Sequence, residues 1–289
     1  MMAKSGIFEF AETDREEQLG ATPSIVTKDH VPEKNVIKIR MYTRDGVQLL
    51  KAKKNRENKG DKSVFIPGLD WFDRKIGDLL QAAGADDPFA DQMLVDLENQ
   101  IEFLLNGVRV QSATVRDQIK DMFAQYEASL NLKAQSHCSE ADVFIRNKLS
   151  VKVLWLIKEI DRLLYYVYQA EKHDLLKAYA AREVRFDAKK ALRNLLRLVD
   201  GFKHTSITRR DLALSGQSKR IQKAIKDNSK ITLTREVLFL EERADCAPYI
   251  TSRHHGQLES EVRTALEALY AQFYAEHGNE QFGGDEVAS

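Results

Sequence analysis

Two cysteines in 289 residues, Cys138 and Cys246, are too few and too far apart to staple a fold, and they read as free thiols in a reducing compartment. Proline occurs only five times. With so few breaks and so much Leu, Ala, Lys, Arg, Glu and Gln, the chain favours helix. No apolar run approaches the about 20 residues that a membrane span needs. The opening MMAKSGIFEFAETDREEQ is acidic and lacks a secretory apolar core, so a cytoplasmic protein with no membrane partner is expected. Nucleotide-binding glycine loops, HExxH, CxxC and GxSxG are all absent. His137 beside Cys138 and the pair His254–His255 lack the number and spacing of zinc ligands. No catalytic residue, cofactor or metal is therefore expected.

A large net charge is lacking too: 44 basic residues balance 44 acidic ones. The balance is not local. Residues 34–62 carry ten basic against three acidic side chains, and residues 182–230 carry fourteen against five. Residues 1–33 and 84–106 are acidic, the latter with six carboxylates and no cation. Such blocks matter more for a nucleic-acid partner than the overall charge does.

The first basic block opens with NVIKIRMYTRDGVQLLKAKKNRENKGDK. Residues 36–42 alternate, with Ile37, Ile39 and Met41 on one face and Lys38, Arg40 and Tyr42 on the other. Period two predicts a half-buried strand. Thr43 is placed to cap a helix running to about residue 56, and NKGDKS reads as a loop. Pro67 suits the first turn of a second helix, over residues 69–83. Pro88 starts another, to about 105, ending at a turn over Asn106–Gly107. Further helices are expected over 114–132, 151–171 (capped by Ser150), 174–181, 185–202, 208–227 and 258–276, with a second short strand over 141–146. A strand followed by helices thus occurs twice. Asp87 and Asp91, four apart, fit a capped acidic helix start, or else a pair able to hold a cation or exchange protons. The fold class is mainly α. The expected organisation is a polar tail over 1–33, a ribbon-helix-helix-like unit over 34–84, a helical domain over 85–277 and a disordered acidic tail over 278–289.

A lone basic strand gains a use when it pairs with its copy from a second subunit. The two form an antiparallel ribbon, and the DNA major groove admits such a ribbon. Lys38, Arg40 and Tyr42 would then reach base edges. Arg44, Lys51, Lys53, Lys54, Arg56 and Lys62 would reach phosphates, positioning a homodimer on promoter DNA without reading sequence. A rival sits at TSITRRDLALSGQSKRIQKAIKDN, residues 205–228, which reads either as a helix-turn-helix with Gly216 at the turn or as one continuous helix. Arg209, Arg210, Lys219, Arg220 and Lys223 are its candidate DNA contacts.

The stretch IPGLDWFDRKIGDLLQAAGADDPFADQMLVDLE is similar to a segment of the AcaB-type regulators of conjugative plasmids and their relatives on integrating conjugative elements. The residues that carry the likeness are Ile66, Gly68, Leu69 and Phe72, then Asp86, Asp87, Pro88, Phe89, Ala90 and Asp91. Asp161 and Leu163 add to it within LWLIKEIDRLLYYVYQAEKHDLL. The likeness spans residues 36–176. It implies a ribbon-helix-helix transcriptional regulator, an activator of conjugative transfer genes, in a bacterial cytoplasm and associated with the nucleoid or a plasmid. The helical region would be left to contact the transcription machinery. The alternative is a non-catalytic interaction protein of the transfer machinery, with the basic blocks merely solvated.

Overall fold

The computed structural model describes residues 36–55, 64–130, 132, 139–215, 218–251 and 258–277, with side chains to residue 271. The two expected tails lie outside the described residues, as do Arg56, Lys62, His137, Cys138, Gly216, His254 and His255. The described residues belong to one compact unit.

The chain opens with strand β1 (Val36–Met41) and helix α1 (Arg44–Leu50). Thr43 caps α1 by accepting from the Gly46 N–H at 2.9 Å. The helix expected to reach residue 56 ends at Leu50. Beyond it the chain forms a small hairpin of β2 (Lys53–Asn55) and β3 (Val64–Ile66). Phe65 of β3 packs edge-on against Trp71, 5.5 Å between ring centres. The Ala52 N–H donates to Asp70 at 2.7 Å. Gly68 lets the backbone of Lys51 and Ala52 pass close by, since a Cβ there would lie 2.3 Å from the Lys51 carbonyl carbon. These contacts, not any alternation in Lys53 and Lys54, turn a charged stretch into a strand.

Helix α2 (Leu69–Gly84) buries Leu69, Phe72, Ile76 and Leu79. Helix α3 runs unbroken from Pro88 to Gln125. The turn expected at Asn106–Gly107 does not form. Ile101, Val108, Val115 and Ile119 recur on one side of α3 and are buried, so a break would throw the later residues out of phase. An exposed mid-helix glycine costs only about 1 kcal/mol. Strand β4 (Ser139–Phe144) leads into α4 (Lys148–Lys172), capped by Asn147 rather than Ser150. Helix α4 is the core: Val153, Leu154, Leu156, Ile157, Leu163, Leu164 and Val167 have no exposed surface, each contributing about 2 kcal/mol over exposure.

Around that core lie α5 (Ala178–Leu198), a 3-10 turn (Val199–Gly201), α6 (Arg209–Ser215), α7 (Lys219–Asp227), the short α8 (Arg235–Leu238) and α9 (Ser260–His277). Helices α6 and α7 are separate, so the region expected over 208–227 is two helices and not one. Ser218 caps the second. Helix α6 packs on α9. Among the described residues, no helix is long and apolar enough to cross a membrane.

The strands form two sheets of two strands each. Strand β1 pairs with β4 of the same chain, antiparallel, from Val36 opposite Phe144 to Met41 opposite Ser139. That corrects the expectation of a second subunit's strand as its partner. The apolar face of β4, with Val143 and Ala141, continues that of Ile37 and Ile39 and closes over the same core.

Two glycines separate close approach from open space. A Cβ on Gly46 would lie 2.3 Å from Asp161 Oδ1, whereas a Cβ on Gly107 would meet nothing within 4 Å. Gly46→Ala is expected to lose about 2 kcal/mol of stability, and Gly107→Ala to gain about 0.5–1 kcal/mol. Urea denaturation of the two variants checks both signs. A destabilising Gly107→Ala would contradict the unbroken α3.

Candidate nucleic-acid interface

The ribbon is held at its two corners by carboxylates from opposite halves of the chain. Asp161 of α4, with no exposed surface, accepts from the Tyr42 N–H at 2.6 Å, the Thr43 N–H at 2.9 Å and the Thr43 hydroxyl at 2.8 Å. Lys158 stands 3.4 Å away from it and also donates to the Arg40 carbonyl. At the other corner, Asp73 of α2 accepts from the Arg146 N–H at 3.1 Å and from the Asn147 amide at 2.8 Å. Each strand-to-helix turn is therefore fixed by the helix that belongs to the other strand's unit. The recurring strand–helix pattern is the two halves of one ribbon made within a single chain.

Opposed residues of an antiparallel pair share a face. The outer face thus carries Val36 beside Phe144, Lys38 beside Asp142, and Arg40 beside Glu140. Arg40 and Glu140 form an ion pair at 2.9 Å, with 74% and 61% of their side chains exposed. The expected basic face is in fact neutral: two cations against two carboxylates. Tyr42 lies off it. Its ring packs against Tyr165, 5.6 Å between centres, with the Lys158 ammonium 3.7 Å from the ring centre. The cation-rich surface lies beside the ribbon, where Arg44, Lys51, Lys53 and Lys54 are exposed.

The second candidate group divides. Lys219, Arg220 and Lys223 are exposed on α7. Arg210 pairs with Glu259 at 2.6 Å. Arg209 has 0% exposure, which removes it from the candidate DNA contacts. Its guanidinium reaches Asp86 Oδ1 and Asp91 Oδ2, each at 2.8 Å, and the carbonyls of Val237 and Leu238 at 2.8 and 3.1 Å. Arg243 completes the cluster, 2.7 Å from Asp91 Oδ1.

The DDPFAD segment is the acidic half of this lock. Asp86 adopts a left-handed backbone, φ 71°, which an aspartate tolerates. Its carbonyl also accepts from the Arg209 N–H. Asp87 caps α3 through the N–H groups of Phe89 and Ala90, at 3.0 and 3.3 Å. Burial pushes the Asp87 carboxyl up to about 7, against the pull of those two N–H groups and of Arg209. The carboxylates of this segment therefore cap and pin helices. Among the described residues no group of His, Cys, Asp or Glu is placed to hold a metal ion. Burial, with Glu98 nearby, pushes the Cys246 thiol up to about 12 and leaves it unreactive.

Sequence reasoning missed Arg209 as an internal ion and β2–β3 as a hairpin. A signal for the first was present. Six carboxylates over residues 84–106, with no cation among them, need partners from elsewhere in the chain.

Comparison with known proteins adds a family. The sequence model described as "Transcriptional regulator AcaB" matches residues 33–251. A crystal structure of selenomethionine-containing AcaB from uropathogenic E. coli aligns with TM-score 0.41 and 12% identity, covering 74% of this chain and 100% of that one. No curated protein matches the chain.

Removing Arg209 would take a buried guanidinium from Asp86 and leave Asp91 with Arg243 alone. Arg209→Ala is expected to cost about 3–5 kcal/mol in urea denaturation. A change within about 0.5 kcal/mol, as for a surface residue, would contradict its burial.

Proposed function

The chain belongs to the AcaB family of transcriptional regulators, and from that membership we propose that it binds double-stranded promoter DNA sequence-specifically. We further propose, from the likeness of its DDPFAD segment, that it activates transfer genes of a conjugative element. The observation that carries the reading mode is the β1–β4 ribbon, whose outer face pairs donors with acceptors. Two strands fit the major groove. Arg40 suits guanine O6 and N7, and Lys38 offers a second donor to guanine. Glu140 and Asp142 suit the cytosine amino group. Because the Arg40–Glu140 pair is well exposed, breaking it to meet a base costs little.

A neutral ribbon discriminates between sequences but does not hold a polyanion. The holding falls to Arg44, Lys51, Lys53 and Lys54, which are exposed next to it. With both strands supplied by one chain, a second copy is not needed to build the ribbon.

The test is an anisotropy titration on promoter fragments of the element that encodes the chain, against an unrelated duplex, at two salt concentrations. Lys38→Ala with Arg40→Ala is expected to cut discrimination at least about tenfold. Glu140→Gln with Asp142→Asn is expected to tighten binding to the unrelated duplex, since two like charges leave the groove. Selective binding that survives the first pair of substitutions would rule out the ribbon as the reader. No selective binding by the wild type would rule out the regulator's direct action on DNA.

A further inference from the structure

We propose that the exposed face of α7 is a second DNA surface, one that takes backbone phosphates and reads no sequence. It rests on the DNA-binding reading above and extends it. Lys219, Lys223 and Lys226 recur at i, i+4 and i+7 and are all exposed, while Ile221 and Ala224 face the core. Seven residues of helix span about 10 Å, which is the axial rise of three nucleotide steps along one strand. Arg220 is exposed on the same helix, and Lys203 and Lys230 lie at its C-terminal end. Lys203 is fixed there by Asn228, which takes the Lys203 N–H at 2.8 Å and donates to its carbonyl at 3.1 Å. The one carboxylate on α7, Asp227, is half-buried. None of these six cations is in an ion pair among the described residues, whereas Arg185, Lys189, Arg209 and Arg210 of the same basic block are all paired.

The surface lies within a short stretch of chain of the one beside the ribbon. Arg197, in the last turn of α5, donates to the Phe65 carbonyl of the β2–β3 hairpin at 3.0 Å. Six residues later comes Lys203, at the end of α7. Even fully extended, that stretch covers only about 21 Å, or roughly six base-pair steps. Lys53 and Lys54 on the hairpin, Arg197 and Lys203 at the end of α7 are therefore within the reach of one duplex. The buried Arg209 lock sets the position of α6, and Ser218 starts α7 directly after it.

The test compares the full chain with a Lys219→Ala/Lys223→Ala/Lys226→Ala variant. Affinity for a promoter fragment and for an unrelated duplex is measured across a salt series. All three side chains are exposed, and an unchanged thermal melt certifies the fold. A Lys→Arg triple variant keeps the charge. The alanine variant is expected to lower the slope of log affinity against log salt by about two to three units, equally for both duplexes. The arginine variant is expected to keep the wild-type slope. An unchanged slope in the alanine variant, with the wild type still binding DNA, would overturn the α7 surface and leave the ribbon reading intact. Loss of discrimination with the slope retained would overturn it too, making α7 a base reader. A wild type that binds neither duplex would overturn the DNA-binding reading itself.

Discussion

A carboxylate sealed from solvent sits where the first strand becomes a helix, and the ribbon depends on it. Asp161 replaces lost water with two backbone N–H groups and a hydroxyl. Burying an ion costs several kcal/mol, and hydrogen bonds to a charged group return about 1.5–3 kcal/mol each. Three such bonds offset the cost only in one geometry. The β1–α1 corner is therefore fixed against α4. Asp73 does the same for the β4–α4 corner from α2. Gly46 belongs to this arrangement because any side chain there would collide with Asp161. The ribbon is thus positioned by reciprocal contacts between two parts of one chain, far apart in sequence.

On the proposed reading of DNA, that arrangement separates discrimination from affinity. Had β1 paired with its own copy, its face would have carried four cations and bound any duplex strongly. Pairing with β4 sets Asp142 and Glu140 beside Lys38 and Arg40. The face then has both donors and acceptors and little net attraction for phosphate. Attraction is left to cations beside the ribbon and, on the inference drawn from α7, to a second surface that the Arg209 lock holds at a distance. On that reading a protein whose total charge is zero can still bind a polyanion, because its charge is uneven and some of its acids, Asp86 and Asp91 among them, are held inside by Arg209 and Arg243.

Local signals were legible where local physics decides. The alternation of Ile37, Ile39 and Met41 marked β1, Thr43 and Asp87 marked caps, and the apolar circumference after Ser150 marked the core helix. Signals failed where a distant partner decides. Asn106–Gly107 has the composition of a turn, yet the buried stripe from Ile101 to Ile119 carries the helix through it. Lys53 and Lys54 fall in the stretch expected to continue the first helix, and only the packing of Phe65 on Trp71 and the close pass of Gly68 make the hairpin. Arg209 reads as one more surface cation in a basic run. Its burial is set by carboxylates more than a hundred residues earlier, which no local pattern reveals. The partner of β1 was hidden for the same reason, although the second strand–helix unit that supplies it was visible.

Closure of the ribbon within one chain is the feature on which the proposed DNA-reading mode rests. Lys38→Cys with Asp142→Cys, in a chain whose Cys138 and Cys246 are replaced by alanine, places two thiols at directly opposed positions. After oxidation, mass measurement under denaturing conditions reads the outcome. A disulfide-bonded monomer from the double variant, with Lys38→Cys alone remaining a free thiol, is the result expected. Covalent dimers from Lys38→Cys alone would mean that β1 meets its own copy, and would contradict the single-chain ribbon.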